Sequence, residues 1–400
     1  MGKTVELYYE SAYITEFDAS VLYCSEHEDG KFEAVLDKTA FFPEQGGQTP
    51  DIGRLETADG VEFEVFYTGI RKTDSGEDEI YHVLDKSIEA GASVHGRIDW
   101  EHRFSNMQQH TGEHIFSGIV NSKYGYDNVG FHLSNTEVTM DYNGVLSAED
   151  IKEIEKCVNE AIWKNISVVA SFPSEDELKD IPYRSKKELT GAIRIVNIEG
   201  YDSCACCAPH VERTGEIGLL KVVGVRGYKG GVRVNILCGK RALEFLSTEH
   251  DILSDLAADF TTSFDNVPSS VVRLKDENAV LKADLYADRE KLLEYELAEI
   301  DKGLKNVFLF KGTDTDTNLM RKTVNLLAAD HEGFCGVFAG NSEAGYRYIV
   351  ASGKAEGDAR TVSALLREKF GAKGGGSEKM VQGSISGVNS EELADCCNNL

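Results

Sequence analysis

Three things are scarce in this 400-residue chain: long apolar runs, surplus positive charge, and any sign of an export signal. No stretch of about 18 apolar residues occurs, so no membrane-spanning helix is expected. The start, Met1-Gly2-Lys3-Thr4-Val5-Glu6-Leu7, is polar and then strand-like, which does not fit a secretory signal. Glu6 stands where a myristoylation motif carries Ser or Thr. Lys and Arg number 42 against 68 Asp and Glu, a net charge of −26. That balance argues against a protein coated in nucleic-acid-binding surface. It leaves room for a local basic groove, because screening limits the reach of distant charge to about 8–10 Å. Nine cysteines, an odd number and partly clustered, read without an export signal as reduced thiols in the cytoplasm, some of them on a metal.

What is present is more specific. In Gln109-His110-Thr111-Gly112-Glu113-His114 two histidines lie four residues apart, so on a helix both imidazoles reach one ion from one face. Cys206 and His210 repeat the spacing in Cys204-Ala205-Cys206-Cys207-Ala208-Pro209-His210. Together His110, His114, Cys206 and His210 make a tetrahedral donor set suited to Zn2+. Cys204 and Cys207 compete for the thiolate position, and Cys206 is preferred because it lies four before His210. Ligands drawn from two distant segments imply a folded domain rather than a small zinc finger. The first motif also fits the inverted zinc-peptidase signature His-x-x-Glu-His, with Glu113 as general base. That reading needs a further acidic ligand, for which Glu153, Glu155 and Glu188 are candidates, and it leaves Cys206 and His210 unexplained.

The patterning implies an α+β protein with several domains. Residues 1–92 alternate apolar and polar in short runs such as Lys31-Phe32-Glu33-Ala34-Val35-Leu36 and Val61-Glu62-Phe63-Glu64-Val65-Phe66, the pattern of a small β-barrel. Within them, Phe41-Phe42-Pro43-Glu44-Gln45-Gly46-Gly47-Gln48 reads as a loop whose glycines admit close backbone approach to a ligand. Residues 93–245 read as an α+β metal-binding domain. It has a helix from near Trp100 and a second over 147–164, with Ser147 as N-cap and Asp150 at N3. Residues 246–303 form a helical arm. Val271, Leu274, Asn278, Leu281, Leu285, Leu292 and Tyr295 describe a short coiled-coil seam, or equally the inner face of a helical hairpin. Residues 304–400 read as an α/β domain. Its stretch Gly371-Ala372-Lys373-Gly374-Gly375-Gly376-Ser377 lacks Walker spacing but, as a loop, could offer N–H groups and a cation to phosphate; a plain tight turn is the alternative. Arg360, Arg367, Lys369, Lys373 and Lys379 make its surroundings locally basic.

The Gly-Gly-Gln loop, the His110/His114 pair, Cys206-x-x-x-His210, Thr214-Gly215-Glu216-Ile217-Gly218 and the later Cys238-Gly239 occur in one order. In that order they resemble the editing domain of alanyl-tRNA synthetase and its free-standing relatives of the long AlaX type. The helical arm and the Lys373-Gly374-Gly375-Gly376 domain resemble the synthetase's C-terminal, DHH-associated-like region. The resemblance covers nearly the whole chain, and the short segment before the Gly-Gly-Gln loop leads one to expect a stand-alone editor without an aminoacylation core.

It implies a trans-editing hydrolase that cleaves a wrong amino acid, serine foremost and glycine next, from tRNA(Ala). It further implies Zn2+ on the four donors and Gln48 and Glu113 at the chemistry. Substrate contacts would come from Glu44, Gln45, Gly46 and Gly47, and from Arg103 at the terminal adenosine unless it simply packs, with Lys373, Gly374 and Gly375 touching tRNA. The arm or the C-terminal domain would serve a homodimer, and no membrane is involved. Two departures bear on this: Glu44-Gln45 stand where relatives carry Thr or Ser, and Glu113 stands where they carry a small or apolar residue. A zinc peptidase and a non-catalytic tRNA-binding zinc protein are the competing readings.

Overall fold

Strict alternation in the first hundred residues closes a sheet on itself, as seen in a computed structural model that describes residues 4–185, 192–355 and 357–400. Six antiparallel strands form a closed barrel in the order Glu16–Glu26, Phe32–Leu36, Asp78–Leu84, Glu62–Lys72, Gly53–Thr57 and Ser93–Ile98. In the first half of strand Glu16–Glu26 every second residue points inward: Phe17, Ala19 and Val21 join Leu36, Leu55, Phe63, Val65 and Val94 in one buried cluster. The closing strand lies beyond the expected domain boundary at residue 92.

Asp99 caps the next helix, Trp100–Tyr124, accepting from His102 N at 3.0 Å. The helix Ala148–Lys164 starts with a reciprocal Ser147/Asp150 capping box, as its sequence leads one to expect. Both helices bury their apolar faces against an antiparallel sheet ordered Leu220–Tyr228, Gly231–Cys238, Val138–Tyr142, Asn128–Leu133. A second antiparallel sheet, Val168–Ser171, Ile195–Ile198, Asp202–Ala205, carries the start of the cysteine cluster.

The described residues divide into two compact units, Met1–Leu256 and Ala257–Leu400, where the sequence suggests four domains; the division falls inside the helix Gly239–Asp259. The second unit contains the helix Val267–Ala298 and a five-stranded mixed sheet ordered Val307–Lys311, Phe334–Asn341, Gly345–Ser352, Met380–Ile385, Lys373–Gly376. Alternate residues of its central strands feed two cores. Val337 and Ile349 pack with Met320 and Val324 of helix Thr317–Asp330, while Phe338, Tyr348 and Val350 pack with Val362, Leu366 and Leu393. The seam of Val267–Ala298 is open: Leu274, Leu281, Leu285, Leu292 and Tyr295 are each more than half exposed.

One expectation fails here. Lys373, Gly374 and Gly375 do not form a phosphate-cradling loop; they are an extended edge strand, exposed, paired antiparallel with Met380–Ile385. Gly374 has φ +155, and a Cβ there would stand 2.3 Å from Gln382 O, so its glycine serves close strand approach. Of the locally basic residues, Arg360 is paired with Asp358 and Glu378, both at 2.8 Å. Among the described residues no helix is long and apolar enough to cross a membrane.

Candidate metal centre

The histidine helix presents His110 and His114 one turn apart, and the segment after strand Asp202–Ala205 brings Cys206 and His210 against them. One donor atom from each of the four lies within 4.8 Å of all the others. Cys206 Sγ is 3.6 Å from His110 Nε2 and 3.4 Å from His210 Nε2. Those spacings suit a tetrahedral ion: with bonds of about 2.3 Å to sulfur and 2.0–2.1 Å to nitrogen, the S···N edge is about 3.6 Å. The three imidazoles are buried and Cys206 is half-buried, so the cluster opens to solvent on its cysteine side.

Each imidazole is held by its other nitrogen, and this aims Nε2 inward. His110 Nδ1 donates to Gln48 Oε1 at 2.8 Å. His210 Nδ1 lies 3.0 Å from Thr111 Oγ1, which also accepts from Val211 N. His114 Nδ1 sits 3.0 Å from Asp202 Oδ2, an ion-pair contact rather than a well-aligned hydrogen bond. Asp202 is itself gripped by Arg184, Nε to Oδ1 at 2.7 Å and Nη2 to Oδ2 at 3.0 Å. The electrostatics are asymmetric. Burial, with His114 and His110 nearby, holds His210 well below the usual histidine range, in the neutral form that binds metal. Burial also pulls His114 down, but the hydrogen-bonding and charge of its surroundings, Asp202 first, carry it above its ordinary value.

The competing thiols are less suited. Burial and the neighbouring Cys206 push Cys207 up to about 12, so it stays protonated at neutral pH. Cys204, raised by burial, converges instead with His114 and Asp202 as a second donor group.

The other expected site residues divide. Gln48 is 1% exposed and belongs to the cluster, with its Nε2 buried and unpartnered. Gly46 and Gly47 adjoin the cluster through strand Asn128–Leu133: Leu133 N donates to Gly47 O at 2.7 Å. Gly47 has φ +85, and a Cβ there would meet Phe131 O at 2.6 Å, so the close approach is to this strand. Phe131 in turn packs at a tilt against His110, ring centroids 4.7 Å apart. Glu44 and Gln45 are exposed on the barrel side, and Tyr67 Oη donates to Glu44 Oε2 at 2.8 Å.

Glu113 is buried, not solvated. Its Oε1 accepts from Ser117 Oγ and Asn128 Nδ2, both at 2.6 Å, and its Oε2 is 3.9 Å from His114 Nε2. Arg103, for which packing and substrate contact are both open in the sequence, is packed. It is fully buried, with Nε on Asp51, Nη1 on Ala12 O at 2.8 Å and Nη2 on Ala40 O at 2.6 Å, and it ties the histidine helix to the barrel. Lys373, Gly374 and Gly375 belong to the second unit, outside the cluster. Of the peptidase candidates, Glu153 pairs with Lys123 and Glu155 with Lys221, while Glu188 lies outside the described residues.

Residues 193–235, which include Cys206 and His210, match the family described as the threonyl and alanyl tRNA synthetase second additional domain. A protein named alanyl-tRNA editing protein AlaX-L, from Pyrococcus horikoshii, is 29% identical across 97% of this chain and 96% of its own length. The chain resembles that editing protein end to end. The alanyl-tRNA editing protein Aarsd1 of Danio rerio is 27% identical over 68% of the chain and 69% of its own length. An alanine--tRNA ligase from Ignicoccus hospitalis is 29% identical over 93% of the chain, which spans only 40% of that ligase. The likeness to the editing proteins thus runs through both compact units, whereas the ligase carries much more besides.

Proposed function

We propose that this chain is an aminoacyl-tRNA hydrolase acting on tRNA(Ala) mischarged with serine, and secondarily with glycine, at a zinc centre formed by His110, His114, Cys206 and His210. The observation that carries the reading is the convergence of these four donors, half-open at Cys206, in a chain matched along its length by an editing protein. The substrate class follows from a selectivity problem: a synthetase pocket shaped for alanine rejects neither an isostere with one added hydroxyl nor a smaller glycine strongly, so a second site must remove both.

The donors fit the ion in type, number and spacing. When bound, Zn2+ supplies Lewis acidity and a template for the aminoacyl group. The chain's own residues supply the rest. Gln48 fixes the tautomer of His110 through Oε1 and keeps Nε2 as a buried donor for the ester or its amino acid. Glu113, anchored at Oε1 by Ser117 and Asn128, presents Oε2 beside His114 as the proton acceptor for water. An aminoacyl ester is already activated, so positioning and proton transfer suffice without a covalent nucleophile. Glu44 and Gln45 border the site from the barrel and bear on serine recognition. The exposed leucine seam of Val267–Ala298 is the surface on which a second copy pairs.

The decisive experiment is deacylation of Ser-, Gly- and Ala-tRNA(Ala) by purified protein beside His114→Ala. Rapid loss of the Ser- or Gly-ester, a spared Ala-ester and an inert variant support the editor. Survival of all three esters at the spontaneous rate removes it. Peptide cleavage would then favour the zinc peptidase, and tRNA binding without hydrolysis the non-catalytic zinc protein.

A further inference from the structure

The metal loop continues outward into an aromatic and cationic surface that the chemistry above does not use. In the sheet Val168–Ser171, Ile195–Ile198, Asp202–Ala205, Ser171 stands opposite Ile195 and Ile195 opposite Ala205. One residue beyond that register, Phe172, Arg194 and Cys206 form the next row, and the bond from Cys206 N to Arg194 O at 3.0 Å continues the ladder there. Residues in one such row share a face of the sheet. With strands about 4.8 Å apart, Phe172 lies about 10 Å across the face from the metal ligand Cys206.

The row is built, not incidental. Arg194 Nη1 donates to Cys206 O at 3.0 Å and Ala208 O at 2.8 Å, so its guanidinium is locked onto the ligand loop. The same guanidinium stands 5.5 Å over the ring of Tyr9, which packs, as Cys206 and Cys207 do, against the buried cluster of Tyr8, Phe42, Ile80 and Ala208. Tyr9 meets Phe172 edge-to-face at 5.4 Å, and Phe172 is 49% exposed. Two rings and a flat cation therefore run from the open cysteine side of the centre to solvent. Among the described residues, half of the Phe172 ring's apolar surface is left uncovered.

We propose that Phe172, Tyr9 and Arg194 are the platform for the terminal nucleobase of the nucleic acid whose ester enters the metal centre. This rests on the tRNA reading above. A base is a flat π-face that stacks on aromatic rings irrespective of sequence, and a guanidinium complements both its face and the adjoining phosphate. The reacting ester lies at the 3′ end, so its own base must sit within a nucleoside's reach of the donors. The row from Cys206 to Phe172 offers that reach on the face Cys206 occupies. Arg103, buried against Asp51, cannot serve this role.

The probe is an uncharged RNA minihelix with a single-stranded 3′ end terminating in 2-aminopurine and a fluorescein at its 5′ end, titrated with the zinc-loaded full chain. Anisotropy reports binding and 2-aminopurine emission reports stacking. The expected result is quenched emission on binding, relieved in Phe172→Ala and kept in Phe172→Tyr, with equal zinc content in all three. In steady-state deacylation Phe172→Ala should raise KM by about 5- to 150-fold, the equivalent of one lost stacking contact, with kcat unchanged. Saturated anisotropy with unquenched emission, or equal quenching in Phe172→Ala, overturns the platform and leaves the tRNA reading standing. Absence of binding to both the minihelix and whole tRNA(Ala) removes that reading and the platform with it.

Discussion

Removing the Arg103 guanidinium tests whether this arginine is a strut or a ligand contact. Arg103→Ala leaves the Asp51 carboxylate in a site where neither side chain has any exposure, and strips the donors from Ala12 O and Ala40 O. Breaking a buried pair from one side costs about 3–5 kcal/mol, because the surviving charge stays desolvated. In a unit the size of Met1–Leu256 each kcal/mol lowers Tm by roughly 2–4 °C, so the expected drop is roughly 6–20 °C. Zinc content and KM, assayed well below the new Tm, should match the parent. A compensating variant sharpens the logic. Arg103→Met with Asp51→Asn leaves no buried charge and keeps an acceptor for Phe42 N, now bonded to Asp51 at 2.6 Å, so it should regain most of the loss. Urea and thermal melts of the three proteins decide the matter. A loss under about 1 kcal/mol, or a raised KM at unchanged stability, refutes the strut.

Three further outcomes are expected. Gln48→Ala frees His110 to rotate and should weaken zinc binding by about 10–100-fold in chelator competition; unchanged affinity would show that Gln48 does not orient the ligand. His82 is buried between Thr39 and Ala34, and its pKa falls from 6.5 to about 4 in the fold. The unfolded chain therefore takes up the proton first. Stability should fall by about 3 kcal/mol as pH drops from 6.5 to 4, and His82→Gln should flatten that slope in urea melts. Leu281→Glu with Leu285→Glu places charge on the open seam, and light scattering should show a monomer where the parent is a dimer; a parent that is monomeric at all concentrations rules out the seam as a dimer contact.

Local signals are readable in the sequence and acquired ones are not. Ser147 and Asp150 announce a helix start because both halves of a capping box lie within four residues. The His110/His114 pair follows from spacing, since i, i+4 is a geometric statement about one helix face; Cys206 and His210 share the spacing but lie in a loop after strand Asp202–Ala205, where that geometry does not apply. Nor do Asp202, Thr111 and Arg184 follow from spacing, because they gain their roles only when the sheet Asp202–Ala205 closes on the helix. The sequence offers Glu113 for the chemistry but not its surroundings: it is buried in a network with Ser117 and with Asn128 from a strand beyond the helix. Arg103 stays ambiguous in the sequence, where packing and contact with the terminal adenosine are both open; its partner Asp51 lies far off in the loop before the barrel's Gly53–Thr57 strand. The triple glycine misleads because glycine favours turns, whereas here its partner strand imposes extension.

The centre draws Gln48 from the barrel loop, two histidines from the helix that follows and its last two donors from beyond residue 200. During synthesis the barrel and the helix leave the ribosome well before His210 does. A nascent chain stalled short of that point carries an incomplete set of donors, and no ion can be held by all four. On the proposed reading, metal capture would follow the emergence of His210, and a product truncated before it would be metal-poor.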